Sequence, residues 1–141
     1  GSYRRGKEFC GDIDVLIKTE RKETYSEFIK YLILHEYIVD DLAFGRKKYN
    51  GICKLGKRGI FRRLDIMNTS PSEYPFSILY FTGSDEFNKI FRNKCLEKGF
   101  TINEYGLKKN DTKEFVQHIF NDEKDIFDFL NIHYIEPDQR L

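Results

Sequence analysis

Three aspartates carry the clearest chemical signal in the sequence. Asp12 and Asp14 stand one residue apart in DIDVLI, residues 12–17, whose apolar end predicts a buried strand. Because strand side chains alternate between faces, both carboxylates point the same way. Carboxylates this close repel each other, and Mg²⁺, which prefers oxygen ligands, relieves the repulsion. An Asp-x-Asp pair alone is common, so the pair by itself does not decide for a metal site.

A third carboxylate, Asp65, lies in IFRRLDIM, residues 60–67, which also predicts a strand. If the two strands are neighbours, three carboxylates converge, and such a set can hold two metal ions for in-line phosphoryl displacement. Arg63 shares a strand face with Asp65 and could steer that carboxylate between partners. A purely structural ion pair between them is the alternative interpretation.

Residues that suit phosphate binding come just before the first aspartates, in GSYRRG at positions 1–6. Small residues let backbone N–H groups approach phosphate oxygens. The Ser2 hydroxyl and the Arg5 guanidinium can add charge-assisted hydrogen bonds to a triphosphate, and Gly11 leaves room for the same approach. An expression remnant is the competing interpretation for the first two residues.

The stretch YFTGSDEFNKIFR, residues 80–92 after Leu79, combines aromatic and polar side chains around a Gly-Ser turn. Tyr80 and Phe81 can stack on a sugar and base. Asn88 and Arg92 can donate to acceptors in a minor groove. The alternative is that both rings belong to the core and that Arg92 is an ordinary surface charge.

Helices and hairpins must position these groups. YSEFIKYLILHEY, residues 25–37, predicts a helix whose apolar face is formed by Tyr25, Phe28, Ile29, Leu32 and Ile33. KKYNGICKL, GKRG and IFRRLDIM together predict a hairpin. The loop at residues 69–75, which contains proline and serine, marks a boundary between two lobes.

The second half predicts a different lobe. A helix begins at Ser84 as N-cap and ends at Gly99. Its predicted apolar stripe consists of Phe87, Ile90, Phe91 and Leu96. FTINEYGLKKN and KEFVQ predict a small hairpin or sheet, and NDEKDIFDFLNIHY predicts a helix that starts at Asn121 or Asp122.

Composition indicates a folded protein of one domain or two small lobes, with 141 residues, 40% hydrophobic and 33% charged. The net charge of +1 argues against a wholly basic nucleic-acid binder, yet eight basic residues and no acidic residue lie between Arg46 and Arg63. That segregation suits a surface facing a polyanion. The three distant cysteines predict reduced thiols. No apolar run approaches the roughly 20 residues of a membrane span, so an intracellular protein is expected.

Four motifs, in order, resemble those of the family X DNA polymerases, and most closely the DNA polymerase beta branch. GSYRRGKEFCGDIDVLI resembles that family's Gly-Ser-aromatic-x-Arg-Gly pattern followed by Asp-x-Asp, and RRLDI resembles the strand with its third carboxylate. LYFTGSDEFNKIFRNKCLEKGFTINEYGL and DEKDIFDFLNIHYIEPDQR are similar to the C-terminal subdomain. The resemblance implies an α+β fold with a nucleotidyltransferase palm, a mixed β-sheet with helices, over residues 1–70. A small α/β thumb lobe that binds the nascent base pair would follow over residues 71–141.

The resemblance also implies roles for individual residues. Asp12, Asp14 and Asp65 would hold two Mg²⁺ ions, with Mn²⁺ as a substitute, and Asp65 would accept the proton of a primer 3′-hydroxyl. From its position beside Asp65 on the strand, Arg63 is also predicted as a catalytic residue. The resemblance implies a cis peptide bond between Gly83 and Ser84. The implied nucleotide-binding positions are Ser2, Arg5, Gly11, Tyr80, Phe81, Gly83, Asp85 and Asn88. The implied DNA contacts are Lys89, Arg92, Glu104 and Tyr105, the last two being residues that change partners as the lobe closes.

Three features depart from the family pattern. Met67 stands where close relatives have an arginine, which removes one candidate ion pair. Residues 108–118 form a shorter segment than in relatives. The helix and strand that normally precede the Gly-Ser pair are absent, so we expect a fragment, a truncated gene product or one half of a two-part protein, with an exposed sheet edge.

The main hypothesis is a DNA-directed DNA polymerase that adds deoxynucleotides to primer ends or gaps by a two-metal mechanism, in DNA repair. Its predicted partners are primer-template or gapped DNA and deoxynucleoside triphosphates. The protein would be a monomer that needs the missing N-terminal segment, without membrane contact, nuclear if cellular and otherwise viral. The alternatives are a template-independent terminal transferase and a non-catalytic DNA-binding fragment.

Overall fold

The computed structural model describes all 141 residues, which fold as two compact units. We call Cys10–Pro71 the sheet unit, and Gly1–Phe9 together with Ser72–Leu141 the helical unit. The first nine residues therefore pack with the second half of the chain. The predicted functional division into residues 1–70 and 71–141 stays a prediction.

The sheet unit consists of four strands and one helix. Its strand order is β1-β4-β3-β2, with β1 parallel to β4 and with β3 antiparallel to both of its neighbours. The mixed sheet that we predicted is therefore confirmed. The elements in chain order are β1 (Ile13–Lys18), α1 (Lys22–Leu34), β2 (Ile38–Phe44), β3 (Lys48–Cys53) and β4 (Arg62–Thr69).

The core of the sheet unit lies between α1 and the sheet. Tyr25 and Ile29 of α1 are buried against sheet residues such as Ile66, and Leu32 packs at the edge of the same cluster. Phe28 and Ile33 are instead 38% and 39% exposed, so the predicted helical face is too wide. They flank the stripe formed by the other three residues, and only the centre of that stripe reaches the sheet.

The predicted hairpin is present as β3 and β4, whereas β2 was not predicted. Six of the seven residues of β2 are exposed, so its sequence lacks the alternation that identifies a half-buried strand. The pairing of β2 with β3 also shifts register between Ile38 and Asp40 and between Asp41 and Ala43. Such irregularities are typical of edge strands.

The helical unit packs helices and a small hairpin around an aromatic core. Ring contacts such as Phe76 with Phe120 and Phe91 with Phe127 run through this core. The elements are α2 (Tyr74–Thr82), α3 (Asp85–Glu97), β5 (Phe100–Asn103), β6 (Gly106–Lys109), α4 (Glu123–Phe129) and a 3₁₀ turn at Pro137–Gln139.

Both predicted helix starts in this unit are confirmed. The Ser84 hydroxyl accepts the backbone N–H of Phe87 at the start of α3, and the Asp122 carboxylate accepts that of Asp125 at the start of α4. Helix α3 ends before Gly99, whose φ of +89° suits glycine. Helix α4 is shorter than predicted: it ends at Phe129, whereas the predicted helix continued to Tyr134.

The predicted stripe of α3 is only partly right. Phe87 and Phe91 are buried, but Ile90 and Leu96 are more than half exposed. Cys95 takes the inner position instead, because the buried side recurs every four residues along this helix. The small hairpin is confirmed as β5 and β6, with a further bridge between Lys108 and Phe115.

Candidate active site

Asp14 on β1 and Asp65 on β4 are register partners in the parallel pairing of these strands. Partners in neighbouring strands project from the same face of the sheet, so the two carboxylates share one side. Asp12 comes one residue before β1. The two strands that carry the three predicted carboxylates are therefore adjacent.

Two side chains hold Asp65 on one of its oxygens. Arg63 donates its Nε–H to Oδ1 of Asp65 at 3.1 Å, from the same face of β4. Asn50, the register partner of Asp65 on β3, donates its amide N–H to the same Oδ1 at 3.0 Å when that amide is oriented toward its acceptors. Both contacts orient the carboxylate without using its second oxygen.

The three carboxylates and Arg63 share one electrostatic environment. Burial raises the pKa of Asp14, and the negative charges of Asp65 and Asp12 raise it further, while Arg63 opposes them. The pKa of Arg63 is raised, first by its hydrogen bond to Asp65 and also by the charges of Asp65, Asp12 and Asp14. As the side chains stand, no group of three or more His, Cys, Asp or Glu is arranged to hold a metal ion. The metal-binding role of the three aspartates stays a prediction.

Arg62 fixes the segment that leads into β1. Its guanidinium donates from Nη1 to the backbone carbonyl of Cys10 at 3.1 Å. Gly11 follows, and a Cβ at that position would meet no atom within 4 Å. The backbone of Gly11 is therefore open on its Cα side, although its phosphate-binding role stays a prediction.

The first residues of the helical unit form turns that reach α2. The N-terminal amine donates to the Phe81 carbonyl, and Arg5 donates from Nη1 to the Thr82 carbonyl at 2.5 Å. The carbonyl of Ser2 accepts the N–H of Lys7. The cis peptide bond between Gly83 and Ser84 is present, which confirms that expectation. The triphosphate-binding roles of Ser2 and Arg5 stay predictions, and the guanidinium of Arg5 already has a backbone partner.

Arg4 has a structural partner that we did not predict. In the fold it donates to the Glu123 carboxylate at 2.5 Å and to the Thr82 hydroxyl at 2.6 Å. Arg140 donates to the second oxygen of Glu123 at 2.6 Å, and its side chain is completely buried. The result is an Arg-Glu-Arg network within the helical unit, in which Glu123 and Arg140 are buried and Arg4 is partly exposed.

Four predicted site residues line one cavity of the helical unit. Tyr80, Asn88, Arg92 and Glu104 share a cavity of about 140 Å³ whose remaining wall is mainly apolar. Asn88 also donates its amide to the Tyr80 carbonyl at 2.9 Å, which ties α3 to α2. A concave, mostly apolar cavity with a few polar groups is the usual form of a ligand site.

The other predicted residues of this unit have different surroundings. Lys89 pairs with Glu86 one turn away at 3.6 Å, and Asp85 is the first residue of α3. The Phe81 ring contacts the Tyr80 ring edge to face. Tyr105 lies with Glu104 in the β5–β6 turn, where its N–H bonds to the Asn103 side chain. None of these contacts tests a DNA or nucleotide role.

Sequence reasoning missed Asn50, Glu123 and Arg140. Glu123 and Arg140 are separated by 17 residues, and Glu123 and Arg4 by 119, so no local pattern reports the network. Asn50 had one usable signal. When the two strands of the predicted hairpin are paired, Asn50 on β3 stands directly opposite Asp65 on β4, the residue that we predicted as catalytic.

Comparisons with known proteins match both halves of the chain. Residues 1–71 match the family model for the DNA polymerase beta palm, and residues 77–141 match that for the DNA polymerase beta thumb. DNA polymerase lambda of Rattus norvegicus is 34% identical over an alignment that covers 99% of this chain and 28% of the relative. DNA polymerase lambda of Arabidopsis thaliana is 28% identical, with 99% and 31% covered.

A third relative is much closer in length to this chain. Repair DNA polymerase X of African swine fever virus (isolate Tick/South Africa/Pretoriuskop Pr4/1996) is 27% identical over 100% of the chain and 79% of the relative. The chain spans less than a third of the two polymerase lambda relatives. None of its helices has the length and apolar character needed to cross a bilayer. With palm and thumb domains of the polymerase beta type in an α+β fold, the chain belongs to family X of the DNA polymerases.

Proposed function

We propose that this chain is the palm-and-thumb part of a DNA-directed DNA polymerase that adds deoxynucleotides to a primer 3′-hydroxyl. The pairing of Asp14 with Asp65 across adjacent parallel strands, with Asp12 just upstream, is the observation that supports this function best. It brings carboxylates from two separate motifs to one face of the sheet, beside a guanidinium. That donor set suits phosphoryl transfer.

Asp12, Asp14 and Asp65 would hold two Mg²⁺ ions, with Mn²⁺ as a substitute. The fit is supported by the charges of Asp65 and Asp12, which add to burial in raising the pKa of Asp14, because a divalent cation removes that mutual repulsion. When bound, the ions would polarise the α-phosphate and neutralise charge on the departing pyrophosphate.

Asp65 would take the proton of the attacking hydroxyl on its second carboxylate oxygen. Arg63 and Asn50 both donate to Oδ1, which leaves Oδ2 for that proton. Arg63 then acts as a positioning residue, since it fixes the orientation of the base rather than contacting the reacting atoms. A positioned base of this kind contributes about 10²-fold to 10⁴-fold in rate.

Residues of the helical unit would recognise the substrates. The nucleotide roles assigned to Ser2, Arg5, Gly83 and Asp85, and the DNA role of Lys89, rest on the family pattern. The cavity shared by Tyr80, Asn88, Arg92 and Glu104 supports a ligand-binding role for those four. Primer-template or gapped DNA and deoxynucleoside triphosphates would be the substrates of a monomeric protein. Gap filling in repair accords with the name of the viral relative, Repair DNA polymerase X, and the intracellular location stays a prediction.

Primer extension tests the proposal. A labelled primer on a gapped template with Mg²⁺ is compared for the unmodified chain, Asp65→Asn and the matched control Asp40→Asn, an exposed aspartate on β2 with the same charge change. We expect extension to fall about 10²-fold or more in Asp65→Asn and to be unchanged in Asp40→Asn. Equal extension by the unmodified chain and Asp65→Asn would overturn the proposal.

The same assay separates the alternatives. Extension that persists without a template strand would favour the terminal transferase. Retained DNA binding with no extension by any of the three proteins would favour the non-catalytic DNA-binding fragment. The polymerase proposal requires extension that depends on the template.

A further inference from the structure

An open groove lies in the sheet unit, lined by none of the predicted site residues. It encloses about 550 Å³. One wall is the turn after α1 together with the start of β2, residues 35–39, and the other is formed by Lys54, Gly56 and Lys57, which follow β3. The mechanism proposed above uses none of these residues.

Backbone hydrogen bonds hold the two walls of the groove in place. The N–H of Lys54 donates to the carbonyl of Tyr37 at 2.9 Å, and the N–H of Tyr37 donates to the carbonyl of Leu32 at 2.9 Å. Gly56 adopts a φ of +75°, which suits the bend in the second wall. The shape of the groove is therefore set by backbone hydrogen bonds.

Aromatic rings occupy the first wall. The rings that line it are those of His35 and Tyr37; Tyr37 is 41% exposed, and the His35 ring lies 4.2 Å from the ring of Tyr31, which is outside the lining. Exposed aromatic faces are the groups on which unpaired bases stack in single-strand binding proteins. The Tyr37 side chain keeps about two fifths of its surface exposed.

Positive charge occupies the second wall. Lys54 and Lys57 line the groove and Arg58 follows, inside the stretch from Arg46 to Arg63 that has eight basic residues and no acidic residue. Glu36 is the acidic residue of the lining. The combination of aromatic rings on one wall and lysines on the other complements bases and phosphates of a nucleic-acid strand.

We propose that this groove binds single-stranded DNA, with Tyr37 stacking on a base and Lys54 and Lys57 contacting phosphates. The choice of single-stranded DNA as the ligand rests on the proposed function, because a gap-filling polymerase encounters an unpaired template strand in the gap. Binding needs neither catalysis nor metal. The two proposals can therefore fail separately.

Fluorescence anisotropy of the full chain in EDTA tests the groove. The probes are a labelled mixed-sequence single strand of about 16 nucleotides and a blunt duplex of the same length. We expect Lys54→Ala/Lys57→Ala to raise the dissociation constant for the single strand about tenfold. The slope of log affinity against log salt should become shallower by about 1.4, since each lost phosphate contact on a single strand removes about 0.7. Tyr37→Leu should weaken single-strand binding about fivefold or more and duplex binding less than twofold.

The matched control is Arg21→Ala/Lys22→Ala, which removes the same charge from exposed positions at the opposite end of α1. It should change affinity less than about twofold and leave the salt slope unchanged. Equal losses in both lysine and control variants would mean general electrostatic attraction and would overturn the inference. The inference would also be overturned if Tyr37→Leu left single-strand binding unchanged, or if it weakened duplex binding as much as single-strand binding. Asp65→Asn should bind the strand as the unmodified chain does, which keeps this result independent of the extension assay.

Discussion

Asp14 and Asp65 face each other across β1 and β4, in a parallel register that continues over six residue pairs from Ile13–Leu64 to Lys18–Thr69. Because side chains alternate along a strand, a slip of one residue would send one carboxylate to the opposite face. The apolar residues on either side, such as Val15 and Ile66, pack into the core and prevent that slip. The core of the sheet unit therefore sets the geometry of the candidate site.

Arg63 is expected to affect activity much more than stability. In Arg63→Gln the carboxylate of Asp65 loses its guanidinium partner, and we expect primer extension to fall about tenfold or more. The thermal midpoint should stay unchanged, since the pair is partly exposed and such pairs contribute little. Arg63→Lys is the discriminating variant. It keeps the charge but loses the Nε–H donor, so recovery of full activity would contradict a positioning role.

Glu123 is expected to be critical for the stability of the helical unit. Glu123→Gln leaves the completely buried Arg140 without its counter-charge. Breaking a buried pair in this way destabilises proteins by about 3–5 kcal/mol. Urea unfolding followed by circular dichroism measures the loss, and hydrogen exchange of amides in residues 72–141 assigns it to this unit. The exposed Glu97→Gln at the end of α3 is the control, and equal stability of the two variants would contradict the prediction.

The same network predicts that stability falls in acid. Burial alone would raise the pKa of Glu123, but the hydrogen bonds from Arg4 and Arg140 outweigh it and hold that pKa below its ordinary value of 4.5. The unfolded chain therefore binds this proton more readily, so the stabilisation is complete above the unfolded pKa and is lost as pH falls through the folded one. Unfolding free energies measured from pH 7 down to about pH 3 should decline below pH 4.5. Glu123→Gln should lack this part of the decline.

Gly51 is expected to be intolerant of any side chain. A Cβ at this position of β3 would lie 2.2 Å from the hydroxyl of Tyr49, a fully buried ring whose hydroxyl donates to Asp41. Because the ring cannot move away freely, Gly51→Ala should destabilise the sheet unit by about 1–3 kcal/mol. Thermal unfolding of this variant at neutral pH measures the effect. A midpoint equal to that of the unmodified chain would mean that the ring relocates at no cost.

Gly11→Ala should behave in the opposite way. A Cβ at Gly11 meets nothing within 4 Å, so the thermal midpoint should stay unchanged. If the Gly11 backbone approaches a triphosphate as the sequence predicts, the methyl group obstructs it, and the apparent KM for nucleotide should rise about tenfold. Unchanged steady-state kinetics would remove Gly11 from the nucleotide site.

The three cysteine thiols are expected to differ sharply in reactivity. Burial raises the pKa of the Cys95 thiol to about 12 and also raises that of Cys53. Only the thiolate is nucleophilic, so at pH 8 an aromatic disulfide reagent should modify Cys10, which is partly exposed, and spare the other two. Mass spectrometry of peptides from native and urea-treated protein measures the pattern. Modification of Cys95 in the native protein would show that α3 opens locally.

Local signals in the sequence located the elements around the candidate site. The strand containing Asp14, the β3–β4 hairpin with Asp65 and the N-caps Ser84 and Asp122 all follow from period, turn residues and capping chemistry. These features depend on neighbours within a few residues. The cis bond after Gly83 came instead from the family resemblance.

What the sequence could not reveal depends on tertiary context. Helix α2 is almost wholly apolar, so it has no polar face to reveal a helical period, and β2 is exposed on both faces. Burial of the apolar residues of α1 and α3 depends on how far the surface that each helix packs against extends. The contact of Asn50 with Asp65 requires a known hairpin register.

The Arg4–Glu123–Arg140 network determines an order of events during synthesis on the ribosome. Residues 10–71 are continuous, so the sheet unit can fold once they have emerged. Arg4 is made before all of them, yet its carboxylate partner emerges 119 residues later. At ordinary elongation rates that interval is on the order of ten seconds. Residues 1–9 therefore precede the sheet unit in synthesis but are fixed by this network only after it has formed, and until then they stay accessible to chaperones and proteases.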